Sequence, residues 1–154
     1  VSERLKSERM KPVNALAERR EKERARHFAT MNTAHEVLES KLRDLEQYYE
    51  DYRNADAGHR QVDIQRLTET RQFLSTLSQA ISLQREAVAA SEKKLAAERE
   101  KWMAARRHSQ NLENLSEKYR DQERQSALYA EQRSQDEMNS QRFVWRKMRQ
   151  NNMA

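Results

Sequence analysis

The sequence predicts an all-α protein: a long antiparallel two-helix coiled-coil hairpin with an extended C-terminal helical arm. Three observations carry that expectation. Among 154 residues there is one glycine, one proline and no cysteine, so the turn residues of a compact globule are missing. Charged residues make up 36% of the chain and hydrophobic ones 36%, with good helix formers such as Ala, Glu, Lys, Arg, Gln and Leu dominating. Apolar positions step by three and four on both sides of the lone glycine, the period of a helix that packs along one seam.

Taken in chain order, the sequence opens on Val1 rather than Met, and residues 1–11 are expected to be disordered or not native. Pro12 is tolerated in a helix's first turn, so the first helix is expected over residues 12–53. Its seam reads Phe28, Met31, His35, Leu38, Leu42, Leu45, Tyr49 and Tyr52. The stretch "NADAGHRQ", Asn54 to Gln61, is the expected hairpin loop, with Gly58 supplying the permissive backbone. A second helix is expected over residues 62–150, where Leu67, Leu74, Ile81, Val88, Leu95 and Trp102 recur every seven residues. Thr70, Leu77, Gln84 and Ser91 are the weaker partners on that seam, and residues 12–150 are read as a single domain.

Folding back at this loop pairs residues whose numbers add to roughly 115–120, which sets Met10 near residue 107. Helix two then runs on through Leu112, Leu115, Tyr119, Ser126, Tyr129 and Phe143 as an unpaired arm of about 40 residues, on the order of 60 Å long. Such an arm needs a partner or it frays. The seam weakens away from the loop, where Arg24 and Glu98 fall on core registers.

The hairpin's flanks differ. One edge sets Glu39 and Glu46 against Arg71 and Arg85 and is self-satisfied in charge, although exposed pairs contribute only about 0–1 kcal/mol each. The other sets Ala34 and Tyr48 against Phe73, Ala80 and Ala87. There Phe73, Leu77, Ala80 and Gln84 form one stripe near the loop, a candidate docking strip with Tyr48 beside it.

Net charge is +5. Residues 1–27 carry nine Lys/Arg against five Asp/Glu, and residues 138–154 carry four against none, so basic charge gathers at the two chain ends. In "ERREKERAR" the charges alternate, which reads as a solvated helix face. The tail "RFVWRKMRQ" combines cations with Phe143, Val144, Trp145 and Met148; a protein cleft is the leading partner, ahead of RNA or an acidic membrane surface. There is no phosphate loop, no HExxH and no nucleophile elbow, so no enzyme and no cofactor is expected. The histidines at 27, 35, 59 and 108 are scattered, and His35 on the seam is read as packing, with no second ligand counted at i+4 and no metal expected. No run approaches the roughly 20 apolar residues of a membrane span, and a cytoplasmic protein is expected.

The chain resembles the FliJ family, the coiled-coil stalk proteins of the bacterial flagellar type III export apparatus. The resemblance is carried by "LRDLEQYYEDYRN" (Leu42, Leu45, Tyr48, Tyr52, Arg53), "RQFLSTLSQAI" (Arg71 to Ile81), "AEQRSQDEM" (Ala130 to Met138) and the early "KPVNALAERRE". It implies a non-enzymatic stalk whose basic end enters a hexameric export ATPase and promotes its ring assembly, placing Arg19, Arg20, Arg24, Arg142 and Arg146 at the ATPase. It also implies a contact with the export-gate membrane protein through Phe73, Leu77, Ala80, Gln84 and Tyr48; the family often has histidine at position 84. Escort of export chaperones and a peripheral place at the inner membrane export apparatus are further implications. The stalk of a virulence type III system and a nucleic-acid-binding coiled coil are the alternatives, with nucleic acid not expected as a partner.

Overall fold

The computed structural model describes residues 3–57 and 63–153. It contains two helices, α1 (Lys6–Ala57) and α2 (Ile64–Asn152), and no strand among the described residues. The all-α helical hairpin is therefore the observed fold. The helices end elsewhere than the sequence suggested. α1 starts six residues before Pro12, which sits inside it; contacts made by its first turn to α2 hold that segment helical despite the backbone bond that proline forfeits. At its other end α1 runs to Ala57, so Asn54–Ala57 belong to the helix, whereas Gly58 and the rest of the expected loop lie outside the described residues. α2 starts at Ile64 because Asp63 caps it: the Asp63 carboxylate accepts the Gln65 N–H at 3.2 Å, and its carbonyl accepts the Leu67 N–H at 2.9 Å.

The chain divides into two compact units, Arg19–Arg106 and Val1–Glu18 with Arg107–Ala154. In the Arg19–Arg106 unit, Leu67, Thr70, Leu74, Leu77, Ile81, Gln84, Val88, Ser91, Leu95, Glu98 and Trp102 of α2 are all buried or half-buried and form an unbroken heptad seam. Facing them on α1 are Phe28, Met31, His35, Leu38, Leu42, Leu45 and Tyr49. Phe28 stacks on Trp102 with centroids 5.8 Å apart and planes 8° from parallel. Arg24 does not enter the core register; it points to solvent and Ala25 takes the half-buried position. Glu98 does lie on the seam, flanked by His27 at 3.5 Å and Lys101 at 3.3 Å.

The register differs from the expected one. His35 meets Ser91 and Phe28 meets Trp102, pairs whose numbers add to 126 and 130. The longer first helix and later start of the second shift the pairing in the same direction.

In the second unit the same shift places Met10 beside Tyr119 rather than near residue 107. Its packing is largely polar. Ser116, 1% exposed, accepts a 2.6 Å hydrogen bond from Asn14 Nδ2. Ser7 donates its backbone N–H and its hydroxyl to the two Glu123 carboxylate oxygens at 3.1 and 2.6 Å, and Lys6 Nζ lies 5.5 Å from the Tyr119 ring centroid. Glu123 thus satisfies an N–H in the first turn of α1, which has no partner inside its own helix. Every residue from Arg124 to Met153 is exposed. The bare arm, Arg124–Asn152, is 29 residues long, about 43 Å at 1.5 Å per residue, shorter than the register of the sequence suggested.

Candidate functional site

Three groups of side chains stand out, each within one unit. The first is an aromatic patch near the loop end of the Arg19–Arg106 unit. Phe73 packs its ring against Tyr52, with centroids 4.5 Å apart, and against the edge of Tyr48 at 6.2 Å. Tyr48 is 56% exposed, and Tyr52 and Phe73 39% each. Phe73 and Tyr48 follow from their place beside the seam. Tyr52 is expected in the core; in the structure it is 39% exposed and its ring lies against Phe73 instead.

The rest of the expected strip divides by burial. Leu77 is 8% exposed and belongs to the hairpin core; its side chain is spent between the helices and offers no outer docking surface. Gln84 is half-buried and donates from Nε2 to the Leu38 carbonyl at 2.9 Å, so its polar group is also committed inside. Ala80 is half-buried beside them. Phe73, Tyr48 and Ala80 are therefore the parts of the strip with surface to offer, and Leu77 and Gln84 fix the helices beneath it. The ionic edge forms at Glu46 and Arg85, 3.2 Å apart, while Glu39 turns toward His35 and Arg43.

The basic residues form the second group. Arg19, Arg20 and Arg24 are all exposed on α1 in the Arg19–Arg106 unit. Arg142 and Arg146 are exposed on the arm of the other unit, among the apolar side chains Phe143, Val144, Trp145 and Met148, which are exposed as well. Lys147 Nζ lies 5.4 Å from the Phe143 ring centroid and Arg133 lies 5.8 Å from that of Tyr129, so cations shelter aromatic faces along this helix. Aromatics and cations therefore interleave along an exposed helix that nothing else among the described residues covers.

The third group is centred on His35. It is buried, as the seam predicted, but it is not merely packing. Nδ1 lies 3.0 Å from Ser91 Oγ and Nε2 lies 2.9 Å from a Glu39 carboxylate oxygen. Glu39 stands four residues on, on the same helix face, and Glu92 of α2 completes a set whose ligand atoms all lie within 4.8 Å of one another. The expectation of no second ligand at i+4 of His35 is therefore wrong: Glu39 occupies that position, and its place on the charged edge obscured a spacing that the sequence already shows.

Among the titrating groups, Glu123 is held below the ordinary carboxylate range, first by the Ser7 hydroxyl and then by the Ser7 backbone N–H, with Arg120 adding a smaller push. No helix among the described residues is long and apolar enough to cross a membrane. No curated protein and no solved structure matches the chain. The protein-family profile described as Flagellar FliJ protein matches residues 6–149, which takes in nearly all of both helices and both the aromatic patch and the basic arm, and the chain belongs to the FliJ family.

Proposed function

We propose that this protein is a non-enzymatic stalk of the flagellar type III export machinery, joining the export ATPase to the export gate. The observation that carries the reading is the family match over residues 6–149, on a chain that folds as a two-helix hairpin. The family gives a role in flagellar export; the physical features support the finer roles proposed here. The arm, with Arg142 and Arg146 beside exposed Trp145 and Phe143, contacts the ATPase hexamer and favours ring assembly, and Arg19, Arg20 and Arg24 are a second proposed ATPase contact. Phe73, with Tyr48 and Ala80 around it, meets the export-gate protein, and Leu77 and Gln84 support that surface from within. Escort of export chaperones and a peripheral position at the inner membrane belong to the same reading.

Complementation tests it. In flagellated cells lacking their own family member, this chain restores secretion of export substrates. Failure to restore any secretion, with the protein expressed and helical, removes the export role.

A further inference from the structure

We propose that His35, Glu39 and Glu92 form a binding site for a divalent transition metal ion, with Zn²⁺ as the fitting case, that staples α1 to α2 inside the Arg19–Arg106 unit. The site does not depend on the export reading. Three ligand-capable side chains from two helices converge, with their nitrogen and oxygen atoms within 4.8 Å of one another. His35 and Glu39 lie on one face of α1 at i and i+4, and Glu92 reaches from the facing helix.

The histidine is prepared as a ligand. Its Nδ1 is 3.0 Å from Ser91 Oγ, the outer partner that fixes ring orientation and leaves Nε2 for the metal. Nε2 already stands 2.9 Å from a Glu39 oxygen. Ligands bonded at about 2.0–2.2 Å in a tetrahedron are about 3.4 Å apart, so that pair needs only a small opening. The wider gap closes by rotation of Glu92, which is exposed and free to change rotamer. As the ion enters, the neutral imidazole takes the tautomer that carries its hydrogen on Nδ1, so that Nε2 and the Glu39 carboxylate offer lone pairs to the metal. Ser91 Oγ then accepts the Nδ1 hydrogen.

One imidazole and two carboxylates, with water at the fourth position, is a donor set for Zn²⁺ and its neighbours rather than for Mg²⁺, which prefers all-oxygen octahedral surroundings. Arg43 Nη1 stands 3.9 Å from the second Glu39 oxygen and neutralises part of the charge the ion does not. Because the ligands come from both helices, binding is linked to the folded hairpin and raises its stability.

The test uses the full chain freed of metal with a chelator. Zn²⁺ is titrated calorimetrically and thermal unfolding is followed by circular dichroism with Zn²⁺, with Mg²⁺ and with neither. One Zn²⁺ binds per chain and raises the melting temperature by several degrees, whereas Mg²⁺ does not. Glu92→Gln, at an exposed position, melts as the unaltered chain does without metal but binds Zn²⁺ at least about tenfold more weakly; Glu39→Gln weakens binding as well. Absence of stoichiometric binding overturns the proposal. So does unchanged affinity in both variants, which places the ion elsewhere, for example at His27 and Glu98.

Discussion

The two units are built from the same two helices but held by different chemistry. In the Arg19–Arg106 unit the seam is continuous and mostly apolar, with Leu77, Ile81 and Val88 buried and Phe28 stacked on Trp102. In the other unit the corresponding positions carry Asn14 against Ser116 and Ser7 against Glu123, after which α2 continues with no covering helix. The first arrangement stabilises itself by burial. The second gains little free energy from its own contacts and gains specificity, since a buried polar pair fixes which residues face each other.

Breaking the apolar seam gives the largest effect. Leu77→Ala opens a cavity in the Arg19–Arg106 core and costs about 2–3 kcal/mol in denaturant unfolding, lowering helicity near physiological temperature. Phe73→Ala removes a half-exposed ring from Tyr52 and Tyr48 and costs about 1 kcal/mol, yet it impairs export more than that loss explains. Equal stability costs for the two variants contradict the division of the strip into core and surface.

Sharpening the polar region acts in the opposite direction. Asn14→Leu combined with Ser116→Ala removes a buried pair whose Asn14 Oδ1 finds no hydrogen-bond partner, and raises stability by about 1 kcal/mol. The cost is register: cross-links engineered between residues 10 and 119 form less uniformly in the variant. Uniform cross-linking shows that the pair does not set the register.

The contrast also has a pH signature. Glu123 binds its proton less readily in the folded chain than in the unfolded one, so its contribution is fully present above the ordinary carboxylate range and is lost as pH falls through its lowered value. The first turn of α1 therefore loosens on acidification, seen as faster amide exchange at Ser7, while amides of the apolar seam are unaffected. Glu123→Gln removes this pH dependence.

The smallest effect comes from the ionic edge. Glu46→Ala, which frees the exposed Arg85, changes stability by no more than about 0.5 kcal/mol, with the difference shrinking in high salt.

Much of the fold was legible because heptads are a strong periodic signal. The run Leu67, Leu74, Ile81, Val88, Leu95, Trp102 marks the face of α2 that the structure buries or half-buries, and even its weaker partners Thr70, Leu77, Gln84 and Ser91 fall on the same seam. The register was not legible. Heptads repeat, so a shift of one repeat preserves the pattern and the seam alone does not choose between registers. Farther along α2 the larger residue misled: Leu115 invites a seam position that Ser116 occupies, because the strict three-four spacing from Trp102 passes through Ser109, Leu112 and Ser116. Of the site, Phe73 and Tyr48 could be found from their position beside the seam, and Leu77 could not be separated from them because a stripe on a helix does not say how deep each member lies. Glu39 was hidden by its charge, which suggested an edge pair with α2 rather than a partner for its own helix neighbour His35.

The most direct test of the stalk is ATP hydrolysis by the flagellar export ATPase at concentrations where that enzyme alone is largely monomeric, with this protein added and with a variant carrying Arg142→Ala, Trp145→Ala and Arg146→Ala. The account predicts stimulation together with ring formation by the unaltered chain, and loss of both in the variant at unchanged helicity. No stimulation and no binding by the folded, helical chain contradicts it.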